Sequence, residues 1–168
     1  MLKVAKFEKV SRGQFVKDWL DTFSNGEEPE LIYESIKLPQ RATKGSAGYD
    51  FFAPIDITLK PGETIKIPTG IRAKMAPGWV LMAFPRSGLG FKFRLQLNNT
   101  VGIIDEDYYY SSNEGHIFAK ITNDTNEAKT VLVKAGDGFM QGIFVPFGIT
   151  EDDDSTGVRN GGFGSTTK

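Results

Sequence analysis

Cysteine is absent from the 168 residues of this chain, and histidine occurs once, as His116. Without cysteine there is neither a disulfide framework nor a zinc site with thiolate ligands. A nucleophile system built on histidine would have to use His116, which lies in a strand-like stretch without a partner motif and is predicted to be an edge or surface residue. Any metal is therefore expected to be a hard cation held by oxygen ligands, such as Mg²⁺.

A large net charge and long apolar runs are also missing. The chain has 20 Lys and Arg against 21 Asp and Glu, which gives a net charge of −1. It therefore has no basic field that would hold a nucleic-acid backbone, and an anionic small substrate would need local arginines, backbone amides or a cation. No apolar run is long enough to cross a bilayer and no export signal is apparent, so we expect a cytoplasmic protein without a membrane partner.

Helical periodicity is confined to the N-terminal part of the chain. Ser11 and Gln14 have the spacing of a capping box, and Asn25-Gly26 is a typical helix end. Between them, three aromatic residues recur at four-residue spacing and form one apolar face, namely Phe15, Trp19 and Phe23. Residues 1–35 are therefore predicted to be a helical extension that packs on the rest of the domain or on another subunit.

The following part of the chain has the pattern of short strands separated by turns. Dipeptides such as Pro61-Gly62 and Pro77-Gly78 separate segments in which apolar and polar residues alternate. This regular spacing predicts an all-β sandwich or barrel over residues 36–147. The acidic run 151–154 and the glycine-rich terminus predict a solvated linker and a flexible arm over residues 148–168.

Four short segments place charged or hydroxyl residues beside glycines, a composition suited to a backbone that approaches a phosphate ester and a metal. They are residues 47–50, 85–90, 102–108 and 159–166. Each segment alone is also compatible with an ordinary turn, an acidic hairpin tip or a disordered tail, so the argument depends on all four occurring together.

Individual residues in these segments suit phosphate chemistry. Asp105 follows an apolar stretch and can orient and deprotonate a water molecule. Arg86 has a planar guanidinium that matches a phosphate, while Ser87 adds a hydroxyl donor and Gly88 lets the backbone approach. The C-terminal segment offers successive backbone amides for an anion, side-chain donors and an aromatic face that can stack on a base.

The order of the four segments over a β-rich chain resembles that of the trimeric dUTPases, which hydrolyse dUTP to dUMP and pyrophosphate. The resemblance covers residues 38–166. It implies a distorted jelly-roll β-barrel, assembled as a homotrimer in which each active site draws on three subunits, with Mg²⁺ as cofactor. It also implies a role in supplying dUMP for thymidylate synthesis and in keeping uracil out of DNA.

The resemblance implies roles for residues of the third segment and the stretch before it. Asp105 would activate the attacking water, and Tyr108 would lie against the deoxyribose and leave no room for a ribose 2′-hydroxyl. Asn99 would help to read the uracil edge, from a hairpin that also contains the substrate-binding residues Gly102 and Ile104.

The resemblance also implies how the triphosphate is held. Asp50 would lie near the hydrated Mg²⁺ and near Arg86, Ser87 would bond the oxygen between the α- and β-phosphorus atoms, and Gln141 would bond a phosphate oxygen or a water. In the C-terminal arm, the residues expected to bind substrate are Arg159, Phe163, Gly164, Ser165 and Thr166. Of these, Phe163 would cover the uracil while the arginine and the two hydroxyls bind the γ-phosphate.

Two positions depart from the family pattern. The usual Gly-Asp-Arg-x-x-Gln is present at residues 136–141 with Gly138 where arginine is usual. After Tyr108 the usual short Arg-Gly turn is replaced by residues 109–115, which predicts a longer hairpin.

Two other functions stay open at this point. A dCTP deaminase shares the fold, but Lys120 stands where that family has its catalytic glutamate, and an ammonium group cannot replace a carboxylate as a proton shuttle. A regulatory or interaction protein without activity is the second alternative, since Gly138 is also compatible with loss of catalysis.

Overall fold

The structure, a computed structural model, describes residues 1–24, 28–159 and 161. The predicted helix end at Asn25-Gly26 lies outside these residues. Within them, no helix combines the length and the apolar composition needed to cross a bilayer.

The described chain contains eleven strands, three α-helices and one 3₁₀ helix. The first part consists of β1 (Ala5–Lys9), α1 (Arg12–Thr22), α2 (Pro29–Ser35), β2 (Tyr49–Phe52), β3 (Ile57–Leu59), β4 (Thr64–Pro68), β5 (Ile71–Met75) and β6 (Trp79–Pro85). The second part consists of α3 (Ser87–Phe93), β7 (Leu95–Leu97), β8 (Gly102–Ile104), the 3₁₀ helix (Glu106–Tyr110), β9 (Phe118–Asn123), β10 (Val131–Val133) and β11 (Gly138–Pro146).

The strands form small antiparallel sheets. The largest has the order β2-β11-β6-β8, a second has the order β4-β9-β7, and two pairs are β1-β5 and β10-β3. None of the pairings among the described residues joins strands that are consecutive in the chain. This crossing connectivity differs from a simple meander, and the all-β prediction is confirmed.

Alternating burial explains why the short strands form. In β3, Ile57 and Leu59 are buried while Thr58 is exposed, and β7 and β10 repeat the pattern. One apolar face of each strand packs into a common core that includes Phe51, Leu81 and Phe139. Because side chains alternate between the two faces of a strand, this pattern sets which face turns inward.

The N-terminal segment contains the predicted helix and also a strand that the sequence reading missed. The Ser11 hydroxyl accepts a hydrogen bond from the Gln14 amide at 3.2 Å, as a helix cap should, and Phe15 and Trp19 are buried. Strand β1 precedes this helix and pairs with β5. Only Phe7 of β1 is buried, so the sequence of this strand lacks the alternation of apolar and polar residues that predicts a strand. The pairing with β5 defines it.

The prediction that helix is confined to the N-terminal segment is wrong. Helix α3 follows directly on β6, and a 3₁₀ helix follows β8. Helix α3 contains two glycines in seven residues and ends at Arg94, which has φ 50° and whose amide donates to the carbonyl oxygens of Gly90 and Leu89. Such a glycine-rich segment has low intrinsic helix propensity, which is why the sequence did not indicate a helix there.

The prediction that His116 is an edge or surface residue is also wrong. Its side chain is wholly buried. Nδ1 lies 2.6 Å from a carboxylate oxygen of Asp18 in α1, and Nε2 accepts a hydrogen bond of 2.8 Å from the Gly70 amide. A buried polar ring is tolerated when both nitrogens have partners.

Candidate functional site

Three of the predicted site residues lie together at one end of the largest sheet, and we call them the arginine cluster: Asp50, Arg86 and Gln141. Gln141 of β11 pairs with Asp50 of β2 on one side and with Phe84 of β6 on the other. Arg86 Nε lies 3.1 Å from Asp50 Oδ1, and Gln141 Nε2 donates to the Pro85 carbonyl at 3.2 Å. The sheet register therefore brings residues from three separate sequence segments into one cluster.

Ser87 and Gly88 extend this cluster into solvent. Both are exposed and begin helix α3 directly after Arg86. Apart from its chain neighbours and the backbone of α3, no described atom lies within 4 Å of the place that a β-carbon on Gly88 would occupy. The guanidinium, the hydroxyl and this open stretch of backbone are therefore all accessible to an anionic ligand.

Gly138 lies beneath the side chain of Arg86. Arg86 Nη1 donates to the Gly138 carbonyl at 3.3 Å, and a β-carbon on Gly138 would lie 2.9 Å from that nitrogen and 3.1 Å from Arg86 Cδ. The register of β11 against β2 shifts between Gly138 and Met140, an irregularity that changes the direction of nearby side chains. The glycine at this position thus leaves the space that Arg86 occupies.

A second group of predicted site residues lies after β8 and consists of Asp105, Tyr108 and Arg159. Arg159 Nη2 lies 2.5 Å from Asp105 Oδ2 and Nε lies 2.8 Å from Asp107 Oδ1. The guanidinium carbon is 5.7 Å from the centre of the Tyr108 ring. The C-terminal arginine expected to bind a phosphate is therefore bound here by two carboxylates of its own chain, and half of the Asp105 side chain is exposed.

Tyr108 is almost completely buried and its hydroxyl is bonded on both sides. The hydroxyl donates to the His116 carbonyl at 2.6 Å and accepts from Asn113 Nδ2 at 2.8 Å. Burial raises the pKa of the Tyr108 phenol, so the group stays a neutral donor. The segment after β8 is a 3₁₀ helix followed by turns over residues 111–115, which corrects the prediction of a longer hairpin.

Three further predicted residues line a cavity of about 440 Å³ between the two larger sheets. Asn99, Gly102 and Ile104 contribute from β8 and the turn before it. Gly102 is packed closely, since a β-carbon there would lie 3.1 Å from the Ala83 side chain. Ile104 also lines a smaller crevice with Asp105, Tyr108 and Arg159, so the two spaces share one wall. The volume is in the range of sites that bind small organic molecules.

Other residues of this cavity were not found from the sequence. They come from strands that are remote in the chain and include Lys66, Phe118, Lys120 and Met140. Their spacing in the sequence forms no recognisable motif. Strands β4, β9 and β11, to which they belong, come together only when the sheets form. Of the predicted residues, Phe163, Gly164, Ser165 and Thr166 lie outside the part of the chain that the structure describes.

The arginine cluster and Asp105 lie apart within one chain. Strand β8 pairs antiparallel with β6, with Ile104 opposite Leu81 and Gly102 opposite Ala83. Asp105 is therefore near the start of β6, whereas Arg86 follows its end. At about 3.3 Å per residue of strand, the two backbones are separated by roughly 15–20 Å.

The residues present fit a hydrated Mg²⁺ better than an ion enclosed by protein ligands. Within the described ranges, no three or more Asp, Glu and His side chains are close enough to hold a metal together. Asp50 offers a partly exposed carboxylate in the arginine cluster. Mg²⁺ commonly keeps several waters and is bound by one or two carboxylates together with substrate phosphates.

Comparison with known proteins gives consistent results. The dUTPase family profile matches residues 34–167. A deoxyuridine 5'-triphosphate nucleotidohydrolase from Lactococcus lactis is 43% identical over 134 residues, which cover 78% of this chain and 88% of the relative. One from Hahella chejuensis is 43% identical over 139 residues, covering 78% and 87%.

Solved structures share the fold. A dUTPase from Streptococcus mutans has a TM-score of 0.63 and 36% identity, covering 86% of this chain and 98% of that one. A dUTPase from phage phi11 of S. aureus has a TM-score of 0.59 over 76% of this chain and 94% of that one, and at 24% identity it supports the fold alone.

Proposed function

Because the chain belongs to the dUTPase family and is a dUTP diphosphatase, we propose that it cleaves dUTP between the α- and β-phosphates with a water activated by Asp105. The observation that supports this proposal most directly is that the cavity and the crevice beside it share a lining residue. Ile104 lines both the 440 Å³ cavity and the crevice that contains Asp105. A nucleoside in the cavity would thus have its 5′ end near a half-exposed carboxylate.

The cavity suits a deoxynucleoside. Its lining is mainly apolar, with Asn99 as an amide that can pair with the edge of a pyrimidine. Tyr108 stands beside Ile104 with its ring held by two hydrogen bonds, and we propose that it excludes a ribose 2′-hydroxyl. A fixed wall rejects the larger sugar more strongly than a movable one would.

Asp105 is suited to the role of general base by its position. It directly follows strand β8, whose Gly102 and Ile104 are buried, so its backbone is fixed while its carboxylate reaches solvent. A general base must lie within hydrogen-bond reach of the proton that it removes. We propose that Arg159 leaves Asp105 and Asp107 of its own chain when its arm binds a triphosphate at the site of another copy, which would free Asp105 to accept the proton of the attacking water.

The arginine cluster is suited to the phosphates. Arg86, Ser87 and Gln141 would bond phosphate oxygens and stabilise the charge of the departing pyrophosphate. Asp50 would hold Mg²⁺ through water, and the bound ion would supply further positive charge there. In the same proposal, Phe163 covers the base and Arg159, Gly164, Ser165 and Thr166 bind the end of the triphosphate.

The separation of the two groups supports a site shared between subunits. Asp105 and Ser87 must both come within about 3 Å of the reacting phosphoryl group, yet they are separated by roughly 15–20 Å along the sheet of one chain. We propose that a second copy supplies the arginine cluster and a third its C-terminal arm, in a homotrimer. The product dUMP would feed thymidylate synthesis, and removal of dUTP would keep uracil out of DNA.

The experiment that tests this function follows pyrophosphate release from dUTP, dCTP, dTTP and UTP with Mg²⁺. We expect release from dUTP alone, and loss of that release on chelation of the metal. Ammonia from dCTP would instead indicate a deaminase despite Lys120. No turnover of any of the four nucleotides would favour a regulatory protein on this fold.

The close contact at Gly138 gives a further prediction. Gly138→Ala is expected to lower kcat/KM for dUTP about ten-fold, because the new methyl group displaces Arg86 from its hydrogen bonds, and loss of a hydrogen bond to a charged group costs about 1.5–3 kcal/mol. Gly45→Ala is the matched control, since no atom lies within 4 Å of its added β-carbon. Steady-state kinetics with dUTP measure kcat/KM of both variants. Equal activity of the two would contradict the role given to Arg86.

A further inference from the structure

The N-terminal segment and the segment after Tyr108 are packed against each other. The family profile begins at residue 34, so α1 lies outside it, and residues 109–115 replace the usual turn of the family. Both the amide and the hydroxyl of Ser11, the cap of α1, donate to the Glu114 carboxylate at 2.7 and 2.6 Å. Two parts in which this chain differs from its family pattern are therefore joined by hydrogen bonds.

A buried pair lies at the centre of this contact and consists of Asp18 and His116. The Gly70 amide donates to His116 Nε2, so that nitrogen carries no proton, and the network assigns the proton to Nδ1. Nδ1 then donates to Asp18 Oδ2 at 2.6 Å. Burial would raise the pKa of Asp18, but hydrogen bonds from His116 and Gln14 outweigh it and lower that pKa. Asp18 is therefore a charged acceptor for a neutral imidazole.

The pair continues directly to Tyr108. The carbonyl of His116 accepts the Tyr108 hydroxyl at 2.6 Å, and both residues are buried. The side chain of His116 has little freedom, since Asp18 of α1 and the Gly70 amide before β5 hold its two ring nitrogens. Two hydrogen bonds, one to the side chain of His116 and one to its backbone carbonyl, thus connect α1 with the ring that stands beside Asp105 and Arg159.

We propose that Asp18 and His116 are positioning residues for Tyr108, through which α1 sets how strongly the site rejects a ribonucleotide. The inference rests on the proposed function, in which Tyr108 excludes the 2′-hydroxyl. Without the Asp18 carboxylate, the Nδ1–H of His116 would be buried without its acceptor, and the ring would shift to find another partner. The His116 carbonyl would move with it and leave the Tyr108 hydroxyl with one of its two described bonds, that from Asn113, so that the ring could give way to UTP.

The experiment measures kcat/KM for dUTP and for UTP, and the ratio of the two, in the wild-type full chain and in three variants with substitutions in α1. Asp18→Ala removes the acceptor and is expected to lower the ratio about ten-fold, mainly through a gain with UTP. Asp18→Asn keeps an acceptor oxygen and is expected to stay near the wild-type ratio. Asp21→Ala breaks an exposed ion pair with Lys17 in the same helix and is expected to leave the ratio unchanged.

A purely structural role predicts a different result. In that case Asp18→Ala lowers the melting temperature but leaves the dUTP to UTP ratio at the wild-type value, which would overturn the proposal. Tyr108→Phe keeps the ring and removes its hydroxyl, with the bonds to the His116 carbonyl and to Asn113 Nδ2, so it tests the hold on the ring even if Asp18→Ala does not fold. We expect Tyr108→Phe to lower the ratio, and an unchanged ratio would also overturn the proposal.

Hydrolysis of dUTP and UTP by the wild type distinguishes failure of this inference from failure of the proposed function. If the wild type does not hydrolyse dUTP, the proposed function and the inference fall together. If it hydrolyses dUTP in preference to UTP while the variants keep that preference, only the inference falls. If Asp18→Ala and Tyr108→Phe each lower the ratio, the double variant is expected to add nothing further, since both act on one connection.

Discussion

Replacing Asp105 by asparagine is expected to reduce dUTP turnover by about 10²–10⁴-fold, the usual contribution of a general base. The asparagine amide cannot accept a proton from water at neutral pH, although it has nearly the same shape. A non-hydrolysable dUTP analogue should therefore still bind, because the 440 Å³ cavity is lined by other residues. Steady-state kinetics and calorimetric titration of the analogue measure the two effects separately.

Asp107→Asn is the matched control for this substitution. Asp107 is as exposed as Asp105 and also binds the Arg159 guanidinium. Both variants remove one charge beside that arginine, but only the change at Asp105 removes the proposed base. Turnover of Asp107→Asn is expected to stay within about ten-fold of the wild type. Equal losses in the two variants would assign the effect to Arg159 and exclude Asp105 as the base.

A chain that ends at Asp154 is expected to fold and assemble as the full chain does while losing at least about 100-fold in turnover. Strand β11, the last strand in the described part of the chain, ends at Pro146, and residues 147–158 are exposed, so the truncation removes none of the described core residues. It removes Arg159 and the expected phosphate-binding segment that follows. Loss of a single donor to developing negative charge already costs about 10²–10³ in kcat.

Thermal unfolding, size-exclusion chromatography and turnover of the truncated chain test these expectations together. Arg159→Ala serves as the companion variant, because it removes only the guanidinium that binds Asp105 and Asp107. A truncated chain that is folded and fully active would contradict the role of the arm. A truncated chain that is inactive and unfolded would show that residues 155–168 stabilise the fold, contrary to the exposure of residues 155–158.

Local features of the fold follow from the sequence because they depend on neighbouring residues. The cap of α1 needs only a hydroxyl at Ser11 and an amide three residues later, and it forms as predicted. The alternation in β3, β7 and β10 likewise sets which side chains face inward. Family membership was also evident, since four glycine-containing segments in a set order identify it without any distance being known.

Helix α3 and the 3₁₀ helix, which the sequence did not predict, show what local sequence patterns leave out. Helix α3 is glycine-rich and has low helix propensity, and the 3₁₀ helix contains three successive tyrosines, Tyr108, Tyr109 and Tyr110. Tyr109 of the 3₁₀ helix is held by a remote partner, since its hydroxyl donates to Glu8 across 101 positions of the chain. Propensity cannot include a partner of this kind.

The sequence by itself determined the family, the mostly β architecture and the candidate residues of the site. Only the tertiary structure decided that Arg86 lies over Gly138, that Asp105 and Arg86 are at opposite ends of β6, and that His116 is paired with Asp18 at a separation of 98 residues. The reason is that the described strand pairings join strands that are not consecutive in the chain. Contacts of that kind depend on strand order and register, which no short stretch of sequence contains.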